Sequence, residues 1–119
     1  MQNLNIINNM KIYGLQMKEK ILKFEKSKIK GKKYTAYIIN KDTNKIHKIN
    51  FGAIGYEQYK DSTNLKCYSK YDHNDINRKY RYYARHSNGI KTKIKATQYE
   101  IKKSNGYFNA KILSHLYLW

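Results

Sequence analysis

Cysteine is almost absent: Cys67 is the only one in the chain. It cannot close an internal disulfide, and its isolation excludes a disulfide scaffold and any cysteine-based zinc finger. It reads as a small, half-buried residue in a protein kept reduced. Acidic residues are also scarce, eight Asp and Glu with no acidic block among them. No run of about 18 apolar residues occurs, which excludes a membrane-spanning helix. The Asn-rich start, Met1 to Ile12, lacks the apolar stretch of a signal peptide, so secretion is not expected. Large apolar rings are few, three Phe and one Trp. The core must therefore be thin and draw on Ile, Leu and 13 tyrosines, whose hydroxyls need partners when buried.

Positive charge, by contrast, is abundant. Net charge is +17 over 119 residues, a length that makes one domain. Such a balance favours a polyanion: nucleic acid, an anionic membrane surface or an acidic protein. It also strains the compact state by self-repulsion, which a bound polyanion relieves. The 22 lysines are spread from Lys11 to Lys111, and the Lys-, Asn- and Ile-rich composition is also what an AT-rich genome encodes. The three arginines are different. Arg78, Arg81 and Arg85 fall within eight residues, at i, i+3 and i+7. Guanidinium is a planar, permanently charged, bidentate donor that ammonium cannot copy.

Local patterns predict an α+β fold, a β-hairpin or three-stranded sheet covered by a basic helix and closed by an apolar C-terminal segment. Residues 1–16 read as a flexible tail, or as an extension upstream of a start at Met17, and residues 17–119 as a single domain. In residues 17–30, Met17, Ile21 and Phe24 fit a helix face, while Leu22 and Phe24 alternating with Lys23 and Glu25 fit a strand leading into Gly31, the reading preferred here. Lys33 to Ile39 and Lys45 to Phe51 read as a hairpin around the turn residues Asn40 to Asn44, with Ile49 and Phe51 on one face. Gly52 and Gly55 bracket a tight loop that lacks the ending and spacing of phosphate or dinucleotide motifs, and no cofactor is implied. Residues 56–72 read as loop or short turns. A helix is expected over 74–87, with Asp72 or Asn74 at its start, Asp75 at its positive end, and Ser87-Asn88-Gly89 as its stop. Ile76, Tyr80, Tyr83 and Ser87 form its inward stripe; Arg78, Arg81 or Tyr82, and Arg85 form the outward one. Residues 90–104 read as a basic connector with room for a short strand at Ile90 to Ala96. Tyr107 to Trp119 is the most apolar stretch and the expected closing helix or clamp.

Residues 30–119 resemble a set of small basic proteins of giant viruses and other nucleocytoplasmic large DNA viruses. Their helix pattern, His-x-Asp-x-x-Arg-x-x-Arg-Tyr-x-x-Arg-His, is met by His73, Asp75, Arg78, Arg81, Tyr82, Arg85 and His86. Their Phe-Gly loop is met by Phe51, Gly52 and Gly55, and their Trp-containing tail by Leu113 to Trp119. The chain departs from the pattern at Asn50, where members often carry His, and at Leu113 and Tyr117, where they carry Trp. The resemblance implies a viral origin, with the protein in the host cytoplasm, viral factory or virion, and a shared fold. It implies no mechanism.

The residues assigned to nucleic-acid binding are Arg78, Arg81, Arg85, Tyr82, Lys79, Lys91, Lys93 and Lys95. Arginines clamp phosphates and tyrosines stack on unpaired bases. The competing structural reading pairs Asp75 with Arg78 at i, i+3. A metal-dependent nuclease built on His73, Asp75 and His86 is weighed against helix capping by the same residues. The histidines sit 13 positions apart, roughly 20 Å along one helix, too far to share an ion. The expected function is non-enzymatic nucleic-acid binding, DNA rather than RNA, in genome condensation or virion packaging. The alternatives are a structural virion protein bound to acidic capsid or core proteins, and the small nuclease.

Overall fold

A computed structural model describes residues 11–119. Its centre is an antiparallel sheet of order β3-β4-β5, formed by Glu19–Lys26 (β3), Lys32–Asn40 (β4) and Ile46–Ala53 (β5). The β-branched and aromatic residues of β4 make it the natural middle strand. Tyr34 lies opposite Phe51, and Ile38 opposite Ile21 on the other side. Alternation puts Tyr34, Ala36 and Ile38 on one face, all fully buried. The β4–β5 turn is closed by Asn40, whose side-chain oxygen accepts from the backbone N–H groups of Asp42 (2.9 Å) and Thr43 (3.0 Å).

Three helices follow: Ile76–His86 (α1), Lys93–Lys103 (α2) and Ala110–Tyr117 (α3). The terminal segment does close the core. Phe108, Ile112, Leu113 and Leu118 pack on the sheet face with Ile101 of α2 and Met17. Each such apolar side chain contributes about 1.5–3 kcal/mol on burial. The helix lying directly on the sheet is thus α3, and α1 packs mainly through α2 and α3. This shifts the expected inward stripe of α1. Tyr83 and Ser87 are fully buried, but Ile76 and Tyr80 are 45% and 43% exposed. Only the C-terminal half of α1 reaches the core; its first turns meet the preceding loop through Arg78 with Glu57 and Lys79 over Tyr59.

Residues 90–104 hold helix α2 where a basic connector with a short strand was expected. Its buried side is Ala96, Thr97, Glu100 and Ile101, a helical stripe containing a single large apolar residue. Cys67 is exposed instead of half-buried, and its backbone N–H donates to the Tyr34 hydroxyl at 2.8 Å.

The tail expectation for residues 1–16 needs correction where it can be compared; residues 1–10 lie outside the described residues. Lys11–Ile12 (β1) and Leu15–Gln16 (β2) form a two-stranded hairpin through Tyr13 and Gly14, both at positive φ. Ile12 and Leu15 pack against the core, and Gln98 of α2 donates to the Tyr13 carbonyl at 3.0 Å. Deleting residues 1–16 is therefore expected to lower stability by about 2 kcal/mol, from the apolar area re-exposed. Thermal denaturation of the truncated chain measures it; an unchanged midpoint would mean the hairpin adds nothing.

Residues 54–75 carry one short 3₁₀ turn, Ser69–Tyr71, yet buried polar contacts staple them to the sheet. The Asp61 carboxylate accepts from the Tyr34 hydroxyl, from Thr63 Oγ1 (2.7 Å) and N–H (3.0 Å), and from the Tyr68 N–H (3.2 Å). Lys33, also buried, donates to the Tyr56 carbonyl (2.7 Å) and to Gln58 Oε1. Burial pulls the Lys33 pKa down, opposed by the charges of Asp61 and Asp72. The same loop ties down the chain's end: Lys60 N–H donates to the Leu118 carbonyl (3.1 Å) and Ser62 N–H to that of Tyr117 (2.8 Å). Trp119 is held in place by this.

Candidate functional site

A cleft of about 750 Å³ opens between α1, α3 and the end of β5. One wall is the outward stripe of α1, with Arg78, Arg81, Tyr82, Arg85 and His86. Lys111 and Trp119 line it from the α3 side, Lys32 from β4, and Tyr56 and Glu57 from the following loop. Gly52 contributes bare backbone at φ +80°. A Cβ there would stand 2.9 Å from a Leu118 methyl and 3.1 Å from Lys33 Cβ, so no side chain fits.

Helix α1 exists where the sequence places it because its ends are marked. Asp75, and not the expected Asp72 or Asn74, is the N-cap, and its carboxylate accepts from the N–H groups of Asn77 (2.9 Å) and Arg78 (3.2 Å). These bonds, the one from Arg78 first, hold the Asp75 pKa below its usual value. His73 Nδ1 in turn accepts from the Asp75 N–H at 2.9 Å. Asp75 thus meets Arg78 through the backbone, and the Arg78 guanidinium pairs instead with Glu57 at 2.8 Å. Arg81 and Arg85 are exposed and form no ion pair among the described residues.

The lining therefore carries five permanent cations against one carboxylate, which Arg78 already engages. His86 reports this field. Its pKa is lowered by burial first, then by Lys111 and Arg85. Burial followed by Arg78 lowers that of His73.

Aromatic rings form the other part of the lining. Trp119 and Tyr82 are stacked, centroids 4.2 Å apart and planes 2° from parallel. His73 packs beside Trp119 at 5.2 Å, and His86 beside Tyr82 at 4.6 Å. The two histidines thus flank opposite members of the stack. Among the described residues no group of three His, Cys, Asp or Glu is placed to hold a metal ion.

Behind the stack runs a buried polar chain. The Tyr82 hydroxyl lies 2.9 Å from His115 Nδ1, His115 Nε2 lies 2.7 Å from Ser87 Oγ, and Ser87 donates to Glu100 at 2.9 Å. One proton arrangement satisfies all three bonds: Tyr82 donates to Nδ1, Nε2–H donates to Ser87, and Ser87 donates to the carboxylate. Burial, then His86, Lys111 and Lys93, pulls the His115 pKa down to about 3, so the ring is neutral. A serine beside a histidine invites a nucleophile reading. Here Ser87 and His115 are fully buried and the serine proton is directed at Glu100, so the chain fixes the plane of Tyr82 instead.

Of the sequence-assigned residues, Arg78, Arg81, Arg85 and Tyr82 converge on the cleft. The assigned lysines do not line it. Lys79 sits over the Tyr59 ring at 4.4 Å, and Lys93 donates to the Leu116 carbonyl at 3.0 Å. Lys91 and Lys95 are exposed at and near the start of α2. Sequence reasoning missed Lys32, Lys111, Tyr56 and Trp119. The two lysines carry no local mark among 22, and Trp119 reads as core because it ends the most apolar stretch. The chain matches no protein-family model, no curated protein and no solved structure.

Proposed function

We propose that the protein binds nucleic acid without altering it chemically, holding the sugar–phosphate backbone in the arginine cleft. The observation that carries this reading is the contrast within one helix. Arg78 is paired with Glu57, whereas Arg81 and Arg85 line the cleft without an ion pair among the described residues. An exposed guanidinium in an excess of positive charge is a bidentate phosphate donor ready for use. The net charge of +17 adds long-range attraction and makes binding tolerant of sequence. In the setting the viral resemblance suggests, that activity is condensation or packaging of a DNA genome.

Salt titration of a shift assay tests the reading. Four or five cleft cations on a single strand, each releasing about 0.7 counterion, imply a roughly 50- to 130-fold loss of affinity from about 50 to 200 mM salt. Arg81→Ala is expected to weaken binding to all sequences and lower the salt slope by about 0.7, with thermal stability nearly unchanged. Arg81→Lys separates geometry from charge: bidentate use leaves it defective, and generic charge restores it. Affinity that holds steady across the salt range would overturn a phosphate-dominated interface.

A further inference from the structure

We infer that the occupant of the cleft is single-stranded, with an unpaired base stacked on Tyr56 and its flanking phosphates on Arg81 and Arg85. This rests on the nucleic-acid reading and narrows it to one class of partner. Tyr56 is 70% exposed, the most exposed of the large apolar side chains. Tyr34, Tyr37, Tyr59, Tyr68 and Tyr71 each have a ring or cation partner. Among the described residues Tyr56 has none for its ring, nor has Tyr80, but of the two only Tyr56 lines the cleft. Its backbone is nevertheless fixed, because the buried Lys33 ammonium donates to its carbonyl at 2.7 Å. A largely exposed ring lining a cationic cleft, without a ring or cation partner among the described residues, is available to stack on a ligand.

A base inside a duplex is already stacked on both faces and offers only its edges to the grooves. It cannot lie flat on Tyr56. An unpaired base can, and any base will do, because each has a π-face. Arg81 and Arg85 stand one turn apart, about 6 Å along the axis, so they can take neighbouring phosphates of one strand. A cleft of about 750 Å³ is in the range of sites that enclose small ligands, which suits a short strand segment better than a double helix. The stack of Tyr82 on Trp119, locked from behind by His115, keeps the rear wall rigid.

Trp119 is the only tryptophan, so its fluorescence reports the cleft directly. The full chain is titrated with oligo-dT, oligo-U, a duplex of equal length and an abasic strand of equal charge. The expected result is quenching of Trp119 by a base-bearing single strand, with affinity at least tenfold above that of the duplex and of the abasic strand. Tyr56→Ala is expected to cost about tenfold in single-strand affinity and to leave duplex affinity and the melting temperature unchanged. Equal affinity for single strand, duplex and abasic strand would overturn the inference while leaving nucleic-acid binding intact. Absence of binding to all four would remove both readings. Since Tyr56 is exposed, its replacement leaves the fold in place, and the wild-type comparison stands whatever the variant does.

Discussion

Replacing Tyr83 with alanine is expected to destabilise the protein by about 3–5 kcal/mol, the range for deleting a fully buried aromatic. Its ring is completely enclosed and meets His115 edge-on at 4.8 Å and Tyr82 at 5.1 Å. Its hydroxyl donates to the His115 carbonyl at 2.8 Å. That carbonyl lies in the last turn of α3, where no helical N–H follows to bind it. Tyr83 therefore supplies both packing and the missing donor between α1 and α3. Tyr83→Phe isolates the second part and is expected to cost about 1–2 kcal/mol, since the carbonyl is left unpaired. Chemical denaturation of both variants measures the pair. A loss below about 1 kcal/mol for the alanine variant would mean that α1 is held elsewhere. Arg81→Ala is the matched control on the same helix, exposed and without an ion pair.

Acid is expected to unfold the protein through His115. The ring titrates near 6.5 when unfolded and at about 3 when folded. Above pH 6.5 it is neutral in both states, and its contribution to pH-dependent stability is fully present. Below 6.5 the unfolded chain takes up a proton that the folded chain refuses, so stability falls as pH falls toward about 3. The slope is about 1.4 kcal/mol per pH unit, giving a loss of about 2 kcal/mol at pH 5. The cause is geometric. A charge on His115 would be buried next to His86, Lys111 and Lys93, with Tyr82 and Ser87 already committed to its two nitrogens. His73 and His86 shift in the same direction, so the contribution of His115 must be isolated by substitution. His115→Gln, which keeps a donor and an acceptor, is expected to remove about one proton from the acid slope between pH 6.5 and 5. Melting curves across that range test it, and identical slopes in the two proteins would show that His115 is not the acid-sensitive group.

Much of this architecture is legible in local chemistry. The β4–β5 hairpin announces itself through Tyr34 to Ile39, Ile46 to Phe51 and the Asn40 turn between them. Helix α1 is marked by Asp75 at one end and Ser87-Asn88-Gly89 at the other. The apolar run ending in Trp119 had to enter the core because so few other residues could. Helix α2 was not legible, for a definite reason. Its buried stripe is Ala96, Thr97, Glu100 and Ile101, and a hydrophobic period cannot appear when a carboxylate occupies the inward position. Glu100 is tolerated there because Ser87, the C-cap of α1, donates to it. The inward edge of α1 was misjudged similarly. Ile76 and Tyr80 share a helical face with Tyr83, but burial depends on what lies opposite, and the first turns meet only the polar loop, through Arg78 with Glu57 and Lys79 over Tyr59.

The sequence by itself determined the charge, the strand and helix signals, and the helical stripe on which three arginines gather. Those properties follow from residue identity and spacing of a few positions. Tertiary structure alone decided which of those arginines is already used. Arg78 meets Glu57 across 21 residues, and Tyr82 reaches His115 across 33. It also brought Lys32, Tyr56, and the pair Lys111 and Trp119 to the same cleft from three separate segments. A local pattern records the face a side chain occupies on its own element. Partners, and the lack of them, are set when elements dock, and that docking left Arg81, Arg85 and the Tyr56 ring unpartnered around one opening.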